Sequence, residues 1–249
     1  MLFVFNFSDF QWILMMVGTA IIGLSKAGIK GIDMMNVTIM AMVFGGKAST
    51  GVILPLLCFA DILAVLYYKR HVQWLYFRRL IPPMLIGVIV GAWWGKDIDE
   101  RVFKKIMAII VLTTVIIIFW MERRKTQKVP SSYLFSNSMG FVAGFTTMLG
   151  NLAGTFSNIY FLALKLSKND FIGTAAWVFF TINLIKVPFQ FFIWKNINAE
   201  TLKIDLFLIP ALLLGFAFGI KLVGKINELF FRKLIMTLTL IGSFLIFFI

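Results

Sequence analysis

The sequence has very little cysteine, histidine or charge. Its 249 residues include one cysteine, Cys58, and one histidine, His71. One residue of each type excludes an internal disulfide and a metal cluster built from His and Cys. Charged residues make up 14% of the chain, whereas soluble globular domains have roughly 25%. We therefore expect neither a water-soluble fold nor a metal or other cofactor.

The chain is instead rich in apolar residues. Hydrophobic residues make up 60% of it, phenylalanine occurs 28 times, and the mean hydropathy is +0.93. A membrane-spanning helix needs about 20 apolar residues, so this length holds roughly eight to ten helical segments and no soluble catalytic domain. The composition predicts an all-α, polytopic membrane protein.

The net charge of +13 arises from 24 Lys and Arg against 11 Asp and Glu. In a soluble protein this excess would indicate nucleic acid. In a membrane protein, basic residues collect in loops that face the cytoplasm and anionic lipid. We predict a lipid bilayer as partner and no nucleic acid. The first cation is Lys26, so we expect the N-terminal apolar run to be retained and not to be a signal peptide.

Ten largely apolar runs are visible, five before the basic stretch Glu122–Pro130 and five after it. They are Phe10–Leu24, Met34–Gly46, Ala48–Tyr68, Leu80–Gly95, Ile106–Met121, Tyr133–Leu149, Ala153–Leu164, Phe171–Trp194, Leu206–Ile220 and Leu234–Ile249. Apolar residues surround each run, which is typical of membrane helices. We divide the chain into a first transmembrane repeat, residues 1–125, and a second, residues 126–249.

One run in each half is too short to span a bilayer. Met34–Gly46 and Ala153–Leu164 have about a dozen residues each, and a hydrocarbon layer is about 30 Å thick. They follow the glycine-broken turns Gly23–Gly31 and Gly144–Gly154. Short, glycine-interrupted segments at matching places in two halves indicate a transporter binding site built from broken or re-entrant helices. The alternative is two ordinary tight turns at the membrane surface.

The two halves share further residues. Pro82, Gly87 and Gly91 recur 128 positions later as Pro210, Gly215 and Gly219, and Gly28 and Gly51 recur 122 positions later as Gly150 and Gly173. An internal duplication explains these matches. If the chain alternates across the membrane, cations on the side of the central linker outnumber those on the other side about two to one. We therefore expect that side to be cytoplasmic and the repeats to be inverted, as alternating access requires.

Two charges lie alone within apolar runs: Asp61 and Lys186. A charge at the centre of a membrane helix costs about 2.5–3.5 kcal/mol, so both should face the protein interior or water. At the offset of 122, Asp61 corresponds to Asn183, which lies one helical turn before Lys186. One interpretation is a structural Asp61–Lys186 ion pair. The other is that Lys186 binds an anion while Asp61 takes up a proton or gates the site.

The broken turns supply further candidate ligands. Glycines allow backbone N–H groups to approach a ligand, and the start of a half-helix attracts anions. The candidate substrate-binding residues are Ser25, Lys26, Gly28, Lys30 and Gly31 from the first half, and Thr146, Thr147, Gly150, Asn151, Asn183 and Lys186 from the second, with Asp61 for coupling or gating. Alternatively, Lys26 and Lys30 extend to the surface and contact lipid phosphate.

Four sequence patterns together resemble those of a known family. They are Gly23-Leu-Ser-Lys-Ala-Gly-Ile-Lys-Gly31, Lys47-Ala-Ser with Pro55, Asp61 and Tyr68-Lys-Arg-His-Val, Pro82 with Gly87 and Gly91, and Asn183-Leu-Ile-Lys186. This combination resembles the TauE/SafE sulfite exporter family over nearly the whole chain. The resemblance implies a multi-pass protein of the bacterial inner membrane that moves sulfite, thiosulfate, organosulfonates or related organic anions.

We therefore predict a secondary carrier or exporter of small inorganic or organic anions that works by alternating access, with protons as the candidate coupling ion. A passive anion channel is the first alternative, because sequence does not separate it from a carrier. A membrane-embedded enzyme has less support, since no metal-binding or phosphate-binding motif is present. A membrane assembly partner without transport is disfavoured by the buried charges.

Overall fold

The computed structural model describes residues 7–99, 101–103, 105, 106, 109, 110, 113, 116 and 132–246. All regular secondary structure in these residues is helical, which confirms the predicted all-α class. The predicted linker Glu122–Pro130 and most of the run Ile106–Met121 lie outside the described residues, as does the boundary between residues 125 and 126.

The helices of the first half are α1 (Asp9–Lys26), α2 (Asp33–Phe44), α3 (Gly46–Val52), α4 (Leu54–Tyr68) and α5 (Trp74–Gly95), with a 3-10 turn at Lys69–His71. Those of the second half are α6 (Tyr133–Gly150), α7 (Ala153–Ala163), α8 (Lys168–Pro188), α9 (Ala199–Lys225) and α10 (Glu228–Ile246), with a π-helix, Phe189–Ile193, continuing α8. The described positions between 101 and 116 are also helical.

Polar side chains begin several of these helices. Ser8, Ser132, Ser167 and Asn198 each accept a hydrogen bond from a backbone N–H group in the first turn that follows. Such caps satisfy donors that have no partner within the helix. The sequence signal for each start is therefore a single polar residue ahead of an apolar run.

The chain is an all-α polytopic membrane protein. Among the described residues, three helices are long and apolar enough to cross a membrane: Trp74–Gly95, Lys168–Ile193 and Ala199–Lys225. Gly46–Val52 and Leu54–His71, which meet at a bend of 46°, form a fourth if they are one span. The two segments that the sequence predicts to be too short to span a bilayer are short in the structure: α2 has 12 residues and α7 has 11. At 1.5 Å per residue, neither reaches 20 Å.

Two apolar runs are interrupted in ways that the hydropathy pattern did not indicate. Ala48–Tyr68 is divided at Ile53, just before Pro55. Proline has no N–H group to donate to the preceding turn, and its ring crowds the carbonyl four residues earlier. In Phe171–Trp194, the α-helical pattern changes to a π-helix directly after Pro188.

Glycines bring two pairs of helices into close contact. α1 packs on α9, and α5 packs on α6. A methyl group at Gly23 would overlap the carbonyl oxygen of Leu212, and one at Gly144 would overlap that of Met84. Met84 and Leu212 are counterparts at the offset of 128, and Gly23 and Gly144 are 121 positions apart. A glycine of the first half therefore contacts a backbone carbonyl of the second half, and a glycine of the second half makes the corresponding contact with the first.

Candidate functional site

The two broken turns and the middle of α8 enclose a small cavity. Its volume is about 40 Å³. A water molecule needs roughly 10–15 Å³ by this measure, so the space suits a group of about three heavy atoms. The polar part of the lining consists of Ser25, Lys26, Asp33, Asn36, Thr147, Asn151 and Asn183. Both halves of the chain contribute to it.

Asp61 is fully buried and forms an ion pair with Lys26. The Lys26 Nζ lies 2.6 Å from one carboxylate oxygen of Asp61. The other oxygen accepts a hydrogen bond of 2.7 Å from the Asn183 side-chain amide. The expected pairing of Asp61 with Lys186 is thus replaced by one with Lys26, because the last turn of α1 lies beside α4.

Lys186 is also fully buried, but its partners are neutral. Its ammonium donates to the Thr147 hydroxyl at 3.2 Å, to the side-chain oxygen of Asn151, and to that of Asn183 at 3.4 Å. Within the described part of the chain, no carboxylate forms an ion pair with it. Lys186 therefore contributes a buried positive charge that no protein anion compensates directly.

Lys30 is a third buried cation. The residue is 1% exposed, and its Nζ has no hydrogen-bond partner among the described residues. It lies 5.3 Å from the centre of the Phe179 ring, and the Lys26 Nζ lies 4.9 Å from the same ring. Neither lysine extends to the surface, so the alternative of lipid phosphate contacts does not hold for this structure. The sequence did not indicate Phe179, because one more phenylalanine in an apolar helix carries no distinguishing signal.

Asp33 also belongs to the site, although its position after Gly31 had not marked it as a ligand. Its carboxylate accepts hydrogen bonds from the Ser25 hydroxyl at 3.2 Å and from the Gly31 N–H at 2.9 Å. Gly31 has a φ of 93°, which favours glycine. The first broken turn therefore already has an anion on one of its N–H groups. A Cβ at Gly154 would overlap the Asp33 carboxylate, so α7 begins directly against it.

Lys30, Gly31 and Lys186 lie outside the cavity lining, and three further predicted residues outside it shape the turns. Gly28 has a φ of 124°, and Ile172 occupies the space beside it. The Thr146 hydroxyl donates to the Ala143 carbonyl at 3.3 Å. Gly150 ends α6 and is buried. Their roles in this structure are conformational.

The charges beside the cavity do not balance, and the further buried carboxylate of Asp205, on α9, is not part of the cavity lining. Lys26, Lys30 and Lys186 are each less than 10% exposed, and the carboxylates beside them are those of Asp61 and Asp33. The formal excess is one positive charge in a region shielded from water. Isolated buried charge is costly, so the site favours a bound anion.

Comparison with known protein families agrees with this geometry. The model of the family described as "Sulfite exporter TauE/SafE" matches residues 9–246. The chain belongs to the TauE/SafE sulfite exporter family. Searches of the curated proteins and of the solved structures returned no significant match. Family membership confirms the resemblance found in the sequence and indicates a membrane transporter of sulfur-containing anions.

Proposed function

We propose that the protein is a secondary carrier that moves a small sulfur oxyanion, such as sulfite or thiosulfate, through the cavity between the broken turns. The observation that supports this most directly is Lys186, a buried ammonium held only by neutral oxygens. The anion supplies the missing negative charge. Lys26 and the hydroxyl group of Thr147 complete the set of donors.

The size of the cavity favours a compact substrate. About 40 Å³ admits an oxyanion of few heavy atoms more readily than a bulky organosulfonate. A hydroxyl, an amide and an ammonium are donors suited to oxyanion oxygens. The proposed substrate is therefore sulfite or an anion close to it in size.

The mechanism that we propose is alternating access by two inverted repeats, residues 1–125 and 126–249. The reciprocal glycine contacts of α1 with α9 and of α5 with α6 support a two-fold relation between the repeats. Asp61 and its counterpart Asn183 hydrogen-bond to one another, as residues on a two-fold axis do. In a bacterial inner membrane, Asp61 would take up a proton or gate the site as the repeats move.

The proposal is tested with purified protein in liposomes, by measuring sulfite flux and the thermal stability of the protein with sulfite, thiosulfate, sulfate, taurine and acetate. A ligand that binds the folded state raises the apparent stability. We expect selective stabilisation by a sulfur oxyanion and saturable counterflow, and at least tenfold loss of flux in Lys186→Ala. The matched control is Lys203→Ala, which removes an exposed lysine of α9. Near-normal flux in Lys186→Ala, or equal stabilisation by every salt, would contradict the proposal, and large single-channel currents would favour the channel.

A further inference from the structure

A second and larger cavity lies at the end of the molecule where α4 ends and α8 begins. Its volume is about 320 Å³. Its lining consists of Tyr67, Tyr68 and His71 from the end of α4 and the turn after it, Lys168 and Asn169 from α8, and Ile220, Val223 and Gly224 from α9. We call this cavity the vestibule.

The surroundings of the vestibule are basic. The exposed cations next to its lining residues in the chain are Lys69, Arg70, Lys221 and Lys225. The neighbouring carboxylates are those of Asp170, which follows Asn169 in the chain, and Glu228, which accepts hydrogen bonds from the backbone N–H of Lys168 at 2.8 and 3.0 Å. This arrangement raises the local concentration of small anions.

The Lys168 ammonium is held in place by two hydrogen bonds and has one further N–H donor. Its ammonium donates to the carbonyl oxygens of Val223 at 3.1 Å and Ile226 at 2.6 Å. An ammonium group has three N–H donors, so one is left for an anion in the vestibule. His71 and Asn169 offer further polar groups on the same lining.

Tyr68 separates the vestibule from the buried site. It lines the vestibule, and its hydroxyl donates a hydrogen bond of 2.7 Å to the carbonyl of Ala27. Ala27 is fully buried and follows Lys26, which lines the small cavity. One side chain and one turn of backbone therefore lie between the two spaces.

The counterpart of Tyr68 in the second half is buried and hydrogen-bonded on both sides of its amide. At the offset of 122 that counterpart is Gln190, which is 0% exposed. Its amide donates to the Thr50 hydroxyl at 3.1 Å and accepts from the Asn196 amide at 3.0 Å.

We propose that the vestibule is a second, weaker binding site for the transported oxyanion, which passes from it beside Tyr68 to Lys26 and Lys186. This inference rests on the proposed transport function. The vestibule site is the weaker one because it is open to water, which screens its charges. It holds the anion long enough to raise the rate of loading at low concentration.

The test measures sulfite flux as a function of concentration in inside-out and right-side-out vesicles. For Lys168→Met we expect the KM for sulfite to rise at least fivefold in the orientation that presents the vestibule to added sulfite, with maximal flux within twofold of the unmodified protein. Lys168→Arg keeps the charge and should restore the KM. The matched control is Lys233→Met, an exposed lysine on α10. An unchanged KM in folded Lys168→Met protein would overturn the proposal.

A second measurement separates this inference from the proposed function. Calorimetry of sulfite binding to Lys186→Ala should retain a weak site that disappears when Lys168→Met is added. Absence of that weak site, or its persistence in the double variant, would overturn the vestibule site. Normal transport by Lys186→Ala would instead overturn the role of the buried site. The KM values of Lys168→Met and the unmodified protein would still test the vestibule site in that case.

Discussion

At the scale of single residues, the site is determined by which buried charges have partners. Lys26 has Asp61 as a carboxylate partner, whereas Lys186 has neutral oxygens and Lys30 has the face of Phe179. Ammonium groups over an aromatic ring gain about 0.5–2 kcal/mol, depending on their desolvation. That gain is smaller than the cost of a buried charge, so the lysines are poised for an anion.

Asp61→Asn should make the protein depend on its substrate for stability. The change leaves the Lys26 ammonium buried without a carboxylate, and breaking a buried pair costs about 3–5 kcal/mol. We expect a lower melting temperature, which sulfite raises by more than it does in the unmodified protein, and an altered pH dependence of flux.

The matched control for this prediction is Asp97→Asn, since Asp97 is 82% exposed and lies 3.8 Å from Lys96. An exposed pair of this kind contributes little, so its melting temperature should be unchanged. Equal melting temperatures for Asp61→Asn and Asp97→Asn would show that the buried pair has no role in stability, and an unchanged pH profile would leave Asp61 a structural partner only.

At the scale of helices, a chain of hydrogen bonds connects the site to one end of the molecule. The Asn151 side chain accepts from Lys186 and donates to the Thr50 carbonyl at 3.0 Å. The Thr50 hydroxyl in turn accepts from Gln190, whose π-helix places its amide against α3. π-helical turns occur frequently at functional sites. Movement of Lys186 towards an anion therefore affects the closure of this end.

Gln190→Ala should open the end of the molecule at which Gln190 contacts α3, so that reagents reach the buried site from there. The substitution removes the amide that joins the π-helix to α3 and to Asn196. The measurement is the labelling rate of Ser25→Cys by a membrane-impermeant maleimide, in protein that also carries Cys58→Ala. We expect a rate several times higher than with Gln190 present.

The control for this experiment is Phe191→Ala, which alters the next residue of the π-helix, one that is 47% exposed. Its labelling rate should match that of the protein with both residues intact. If Gln190→Ala and Phe191→Ala label at the same rate, the amide does not close this end.

Gly144→Ala tests the close packing of α5 on α6. The added methyl group would overlap the backbone carbonyl of Met84, which has no rotamer by which to move away. Overpacking typically costs about 1–3 kcal/mol, so we expect a lower melting temperature in detergent. Gly224→Ala is the control, because a methyl group there meets nothing within 4 Å. A melting temperature for Gly144→Ala as high as that of Gly224→Ala would show that α5 and α6 can move apart without loss of protein stability.

At the scale of the whole molecule, the protein consists of two halves that contact each other through corresponding residues. The contact of Gly215 with Ala20 is matched by that of Gly87 with Phe141. A small cavity that draws on both halves changes its access when one half moves relative to the other. The proposed inversion of the repeats is the property on which this movement depends.

Cysteine labelling tests the inversion. Arg70 is exposed and precedes α5, and Ala199 is exposed and begins α9, whose residues correspond to those of α5 at the offset of 128. In a protein with Cys58→Ala, we expect Arg70→Cys to react with an impermeant thiol reagent from one side of the membrane and Ala199→Cys from the other. Reaction of both from the same side would mean that the repeats are parallel.

The sequence by itself determined the helical class and the short segments, and it predicts the pairing of positions between the halves. Within hydrocarbon, backbone groups must find partners inside the chain, so apolar runs of sufficient length become helices. The spacing of glycines indicated α2 and α7 correctly, since twelve or eleven residues remain short in any fold.

Only the tertiary structure decided which charges meet. Lys26 pairs with Asp61 because α1 ends beside α4, and Lys186 is left with neutral acceptors because α8 passes the end of α6, where Thr147 and Asn151 lie. Distances across the fold depend on how helices pack, and spacing along the chain does not specify them. For the same reason, Asp33 and Phe179 became recognisable as part of the site only when α1, α2 and α8 were seen together.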